Sequence, residues 1–465
     1  MEFQGQPEVF DLLILGSGAG SKLLAWTFAE RGQRVAVVER KYVGGSCPNI
    51  ACLLSKNVIH TAQITHYVRH SEEFGISIDR FRVNMPVVRN RKRGMVQGVV
   101  DTHLALYKQS GAELIMASGK FVGPKILEAM LPDGTKRLLT GTNVVIGTGT
   151  HAIIENIPGL VSAQPLTHVE ALELDVVPEH LIVIGGGYVG LELAQAMRRF
   201  GSMVTVMDRN HSVIHGEDDD ITEGLQSLFT DEGIELILNA KLKNICGVSG
   251  QSVRVTLEQS GVEMSLEGTH LLVAAGRVPN TKDIGLELTG VELTENGYIK
   301  VNERLETTAP GVWAVGEVAG SPQFTHISED DFRVVRDNIL GGNRVTTGRL
   351  VPFCIFTDPE FARVGMSEKE AKDEGIAYRL FKVPMGAVLR ARSLMETRGF
   401  VKCLVERDSD RILGFAAFGV GAGEIMACVQ IAMLGELPYT GLREAILAHP
   451  TIPEGLISLF SAAAS

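Results

Sequence analysis

The sequence predicts an α/β protein in which one βαβ unit is used twice. Three observations carry this. FDLLILGSGAGSKLLAWTFAERGQRVAVVER, from Phe10, is matched by HLIVIGGGYVGLELAQAMRRFGSMVTVMDR, from His180. The offset is constant: Gly16 meets Gly185 and Gly18 meets Gly187, with 185 − 16 = 169 residues between them. Glycine supplies 51 of 465 residues, above the usual figure of about 7%, with no collagen period and in a chain too apolar for a linker. The length corresponds to about three domains.

Each copy reads as a buried strand, a glycine turn, an amphipathic helix and a second apolar strand ending in an acid. Beyond the glycines, Ala25 meets Ala194, Gly32 meets Gly201, Val35 meets Val204 and Glu39 meets Asp208. Gly16 and Gly185 allow the tight turn. Gly18 and Gly187 let the backbone approach a pyrophosphate at the helix N-terminus. The third position, where helix and strand pack closely, is Ser21 in the first copy and Gly190 in the second. Glu39 and Asp208 lie 23 residues past the first glycine of each copy. An acid at that place is expected to accept a hydrogen bond from an adenosine ribose. Two fingerprints imply two dinucleotides, a pairing that suits a flavin exchanging hydride with a nicotinamide.

Charge narrows the function classes. Lys plus Arg is 44 and Asp plus Glu is 55, so the net charge is 44 − 55 = −11. An acidic chain without a basic run is expected to bind neither nucleic acid nor anionic lipid. No apolar run reaches the roughly 18 residues of a membrane span, and Phe10 to Leu15 is too short for a signal-peptide core. A soluble, cytoplasmic protein is expected. In a reducing compartment a close cysteine pair indicates redox or metal chemistry. Of Cys47, Cys52, Cys246, Cys354, Cys403 and Cys428, only the first two are close; the other four read as small buried hydrophobes. No metal site is expected. On a regular helix, Cα atoms five residues apart are about 8.6 Å apart, and a disulfide needs less than about 7 Å. Cys47 and Cys52 must therefore lie on a distorted first turn, where the helix dipole favours a thiolate.

The segment GGSCPNIACLLSK, Gly44 to Lys56, resembles the redox-disulfide motif of the pyridine nucleotide–disulfide oxidoreductases. Five further motifs follow in that family's order: IGTGT from Ile146, GGGYVGLE from Gly185, AAGRVPN from Ala274, WAVGEV from Trp313 and HPTIPE from His449. The resemblance implies two Rossmann-like dinucleotide-binding domains plus a C-terminal α/β dimerisation domain. It implies FAD and NAD(P)H as cofactors, held by Gly16, Gly18, Ser21, Glu39, Gly45, Ser46, Lys56, Gly149, Gly185, Gly187, Gly190, Glu192, Asp208, Gly276, Arg277, Gly316 and Glu317. By matching position, Cys52 is the thiol nearest the flavin and Cys47 the interchange thiol. His449 supplies the proton, oriented by Glu454, and Lys56 and Glu192 form an ion pair beside the flavin. It also implies a homodimer in which His449 serves the other subunit's cysteines. The expected division is residues 1–160 for FAD, 161–284 for NAD(P), 285–349 for the return to the FAD domain and 350–465 for the interface domain.

The pattern departs from the family at four places: Pro48 between the cysteines, Ala51 before Cys52, Leu54 after it, and Glu317 where aspartate is usual. The extra methylene of Glu317 keeps its acceptor. Asp208 favours NADH, since it can bond a 2′-hydroxyl and repels a 2′-phosphate. Arg209 is found at this place in NADPH-using relatives, yet Arg40 holds the same place in the FAD unit, where no 2′-phosphate exists. Trp26 and Thr27 stand where glutathione reductases carry arginines, and the C-terminal FSAAAS lacks the cysteine pair of mercuric reductases. The segments SPQFTHISEDDFRVVRD, FARVGMSEKEA and LRARSLMETRGFVK most resemble the mercuric-reductase-like branch that includes reactive-chlorine-resistance reductases. The acceptor expected is a disulfide, an oxidised sulfur species or a metal ion. The alternatives are a dihydrolipoamide dehydrogenase, and a diaphorase or metal reductase working without disulfide exchange.

Overall fold

The computed structural model describes residues 6–464. The chain divides into two compact units. Within the described residues, one comprises residues 6–57, 86–153 and 276–349, the other residues 58–85, 154–275 and 350–464.

In the first unit the strand Glu8–Leu15 lies in parallel between Val35–Glu39 and Lys136–Ile146, with Leu15 level with Val38 on one side and Ile146 on the other. The sheet continues outward to Glu113–Met116 at one edge and through Ile126–Met130 to Ser118–Gly123 at the other; Val312–Ala314 also pairs with Lys136–Ile146. Val35–Glu39 is buried at every residue, as a parallel strand covered on both faces must be. The helix Ala19–Glu30 turns Leu24, Ala25, Phe28 and Ala29 inward at helical spacing. Leu12, Ile14, Val35, Val37 and Phe28 then share one core.

The second unit repeats the theme. His180–Ile184 lies in parallel between Met203–Met207 and His270–Val273, with Glu235–Ile237 outside. A three-stranded antiparallel sheet, Ala240–Val248, Ser252–Gln259 and Val262–Gly268, is separate from it. Residues from Phe353 to Gly419 form a five-stranded antiparallel sheet, in the order Phe353–Ile355, Glu360–Gly365, Ile412–Gly419, Phe400–Glu406, Tyr378–Pro384. Ile412–Gly419 is buried throughout, and the helix Ala422–Leu434 packs Ile425, Met426, Val429 and Ala432 into the same core.

One of the four remaining cysteines departs from expectation. Cys403 is buried and Cys354 and Cys428 are partly so, but Cys246 is exposed. The neighbouring Ile245 takes the inward place, and successive strand residues point to opposite faces.

Three carboxylates of the second unit, Asp218, Asp220 and Glu368, converge closely enough to hold a cation. Lys402 fills that role: its Nζ lies 2.8, 2.7 and 2.9 Å from them and is fully buried. Asp218 also accepts the N–H groups of Glu368 and Lys369 at the start of the helix Glu368–Asp373. Removing one partner of such a cluster leaves buried charge uncompensated. Lys402→Met is expected to destabilise the chain by about 3–5 kcal/mol, read by equilibrium urea denaturation at neutral pH. An unchanged midpoint would show that the cluster contributes nothing net.

Candidate active site

The two glycine turns sit at the C-terminal ends of the central parallel strands. Gly16 has φ +94°, and a Cβ there would run into the carbonyl of Gly147; Gly185 has φ +113° and faces the carbonyl of Ala274 in the same way. The N–H of Gly16 reaches the Val38 carbonyl and that of Gly147 the Leu15 carbonyl, each at 2.8 Å. Gly18 and Gly187 cap the helices Ala19–Glu30 and Tyr188–Phe200 without any side-chain cap. Gly187 has no heavy atom within 4 Å of a Cβ position, and Gly18 meets only the Gly147 oxygen at 3.8 Å. In the first helix the Ser328 hydroxyl accepts the Gly20 N–H at 3.1 Å, and the open space in front of Gly18 and Gly187 fits a bound pyrophosphate.

The third fingerprint position is solved differently in each copy. A Cβ on Gly190 would enter the carbonyl of Gly185, so helix and strand touch there. In the first copy the fit is inverted: Ser21 occupies the contact, and it is Gly147 that has no room for a Cβ, because of the Ser21 hydroxyl.

Glu39 does not offer the free acceptor expected of it. Its Oε1 accepts the N–H groups of Lys41 and Tyr42, and its Oε2 accepts the N–H and hydroxyl of Ser17. A ribose hydroxyl therefore joins only by displacing the Ser17 hydroxyl, which can turn to the Tyr42 carbonyl at 3.1 Å. Asp208 is less occupied. Its Oδ2 accepts the Gly186 N–H at 2.6 Å and its Oδ1 two groups of Asn210 at 2.8 Å. The Arg209 guanidinium stands 3.6 Å from Glu155, with its side chain 77% exposed.

Between the cysteines the helix is broken. Ser46–Asn49 forms one short turn, Ile50 leaves helical geometry at φ −143°, and Cys52 opens the 18-residue helix Cys52–Arg69. The Asn49 amide holds the break by donating to the carbonyls of Val43 and Gly45 at 2.9 and 2.8 Å. Gly45 packs against Gly18, where a Cβ would approach Gly18 Cα to 2.7 Å. Both sulfurs are free thiols, and each bears on the ionisation of the other. The bond from Cys47 holds Cys52 well below the ordinary thiol value, at about 6, helped by the Thr325 hydroxyl and the Lys56 charge. Sharing with Cys52 and burial push Cys47 upward. The reduced pair thus carries its negative charge on Cys52.

Gly149 lies just beyond Lys136–Ile146, and Gly276 just before Arg277–Pro279, the strand that pairs with Thr150–Ala152. Gly316 donates its N–H to the buried Asp331 at 2.7 Å. The Glu317 carboxylate does not stand free: one oxygen is taken by the Thr150 hydroxyl and by Arg277 Nε at 3.2 Å. Arg277 also bonds the Thr150 hydroxyl at 2.7 Å. In the second unit Glu192 is buried and accepts the Phe356 N–H at 2.9 Å. Glu454 accepts from Nδ1 of His449 at 2.9 Å, leaving Nε2 of an imidazole that is 61% exposed free to act. Trp26 packs between His103 and Tyr107, with ring centroids 5.7 and 5.6 Å away.

Sequence reasoning missed Thr325, which sits 3.6 Å from Cys52 Sγ, and the pair Lys22–His103 at 3.0 Å. The Thr325 segment was distinctive in sequence, but nothing local tied it to a cysteine 273 residues away.

Residues 10–331 match the family model for pyridine nucleotide-disulphide oxidoreductases and residues 351–459 the model for that family's dimerisation domain. The chain is 34% identical over 457 residues to the probable pyridine nucleotide-disulfide oxidoreductase RclA of Escherichia coli, covering 97% of this chain and 99% of that one. It is 32% identical over 451 residues to a dihydrolipoamide dehydrogenase of Chaetomium thermophilum, covering 96% and 89%. The solved Cu(II) complex of the HOCl-induced flavoprotein disulfide reductase RclA from Escherichia coli superposes with a TM-score of 0.88 at 32% identity, covering 98% and 99%.

The thiolate assignment is open to direct titration. In the reduced protein the ultraviolet thiolate absorbance is expected to appear above a midpoint near 6 and to be lost below it. Thr325→Val raises that midpoint by removing a donor to the anion, and Cys47→Ala raises it more. A midpoint unmoved in both variants would refute the assignment.

Proposed function

This chain belongs to the pyridine nucleotide-disulphide oxidoreductase family, and from that premise we propose that the Cys47–Cys52 pair passes two electrons from a reduced nicotinamide to a small disulfide or oxidised sulfur species. The observation that carries the proposal is the broken helix, which brings both sulfurs into contact and starts an 18-residue helix at Cys52. The open glycine turns fit the two dinucleotides that the family uses. FAD, when bound, would supply the electron pair that opens the disulfide.

The chain's own residues do the rest. Cys52, stabilised as an anion by the helix N-terminus, Thr325 and Lys56, is the sulfur that would face the flavin. Cys47 attacks the acceptor sulfur, a new S–S bond forms, and the leaving thiolate departs. His449 gives that thiolate its proton from Nε2, because Glu454 fixes the proton of Nδ1 and supports the cationic ring. Attack by Cys52 on Cys47 then releases the second thiol and restores the disulfide. In the homodimer the His449–Glu454 pair of one subunit serves the cysteines of the other. In support, Ile431 and Leu434 on the helix Ala422–Leu434 are 71% and 65% exposed in the single chain, as an interface helix would be.

NADH is the proposed electron donor. A 2′-phosphate would meet the Asp208 carboxylate, and the Arg209 charge is partly offset by Glu155 at 3.6 Å.

Two measurements test this reading. The ratio kcat/KM is expected to favour NADH over NADPH by roughly tenfold or more; a preference for NADPH would overturn the choice of donor. Cys47→Ser is expected to lower turnover with disulfide acceptors by more than about a thousandfold, while NADH oxidation by a quinone persists. Undiminished disulfide turnover in that variant would sink the role of the pair and favour electron transfer without disulfide exchange.

A further inference from the structure

Residues three apart are neighbours on a helix surface, and the helix Thr325–Ile339 carries Thr325, Ser328 and Asp331 at that spacing. Each meets a different part of the same unit. Thr325 Oγ1 lies 3.6 Å from Cys52 Sγ. The Ser328 hydroxyl accepts the N–H of Gly20, in the first turn of the helix Ala19–Glu30. Asp331 Oδ2 accepts the Gly316 N–H at 2.7 Å. One helix thus touches the redox pair, the first dinucleotide turn and the segment that carries Glu317.

The contact at Gly316 is the most tightly built of the three. Asp331 is fully buried, and its second oxygen accepts from Arg349 Nη1 at 2.7 Å. A buried carboxylate is costly without such a partner. Arg349 is itself mostly buried and also stands 3.5 Å from Asp330. Gly316 has φ +71°, and a Cβ there would come within 3.0 Å of the Ser328 hydroxyl. Only glycine takes that conformation readily, and its N–H is committed to Asp331. Fixing both fixes the direction in which the chain presents the next residue, Glu317. The Glu317 carboxylate in turn lies against the Thr150 hydroxyl and Arg277 Nε. Among Cys47, Thr325 and Lys56, the side chains that act on Cys52, Thr325 is the one this helix carries.

We propose that Asp331, held by Arg349, is a positioning residue for FAD and for the redox pair. Through the Gly316 N–H it sets the turn that presents Glu317 to the cofactor, and it ties that turn to the helix whose Thr325 supports Cys52. The inference rests on the family reading in which Glu317 faces FAD. The carboxylate has two separable capacities. As an acceptor it orients Gly316, and as an anion it answers the Arg349 charge. The proposal assigns the positioning to the first.

The test compares two double variants of the FAD-bound dimer. The first, Asp331→Asn with Arg349→Met, removes both charges and keeps a carbonyl oxygen for the Gly316 N–H. The second, Asp331→Leu with Arg349→Met, removes both charges and the acceptor as well. Both lose the Arg349 contact with Asp330 alike. FAD affinity is read from flavin fluorescence on dilution. The second variant is expected to bind FAD roughly tenfold or more weakly than wild type, because its buried Gly316 N–H has no acceptor. The first stays within about threefold of wild type. With FAD in excess, the midpoint of the Cys52 thiolate absorbance rises in the second variant and holds in the first, since only the second loosens the helix that carries Thr325. If the second variant does not fold, Asp331→Ala takes the place of Asp331→Leu in it. Equal FAD affinities in the two variants would make the carboxylate a charge partner of Arg349 alone and overturn the proposal. Weaker FAD binding at an unmoved midpoint would overturn the tie to Cys52. A wild-type dimer without affinity for FAD would instead overturn the family reading on which the inference rests.

Discussion

The interruption of one helix at Ile50 and Ala51 is the constraint on which the chemistry depends. An unbroken helix would hold sulfurs five residues apart on diverging directions. Closing the first turn at Asn49 and restarting at Cys52 brings them together and makes the second cysteine a helix-initiating residue. The same break gives the pair its asymmetry. One sulfur faces the positive end of a long helix with a hydroxyl and an ammonium nearby, and the other is left as its hydrogen-bond donor. The Asn49 amide, bonded back to Val43 and Gly45, makes this a built feature rather than a frayed end.

Most of the fold was legible in the sequence because its signals are local. A strand, a glycine turn and a helix recur within about thirty residues, and the glycines at 16 and 185 are fixed by backbone atoms of the adjoining strand end. The distortion between the cysteines followed from helix dimensions alone. The His449–Glu454 contact is likewise within reach, spanning five residues.

What could not be read depends on contacts made only by folding. Thr325 meets Cys52 across 273 residues and Lys22 meets His103 across 81, and neither spacing leaves a pattern. Glu39 and Glu317 show a different limit. Their places in their motifs were plain, but how far each acceptor was already used was not. Ser17, Lys41 and Tyr42 surround the first, and Thr150 and Arg277 engage the second. The acidic trio around Lys402 could have suggested a cation site had the lysine not been seen to fill it.

The exchange between Ser21 and Gly147 makes those two positions a single heritable unit. The hydroxyl of Ser21 stands where Gly147 would need a Cβ, so position 147 cannot gain a side chain while Ser21 keeps its place. A side chain at 147 requires a smaller residue at 21 first, and the order of those steps is fixed by steric room. Motif swaps with relatives would have to carry both residues together, since either half grafted alone brings a clash or a void to the floor of the dinucleotide turn.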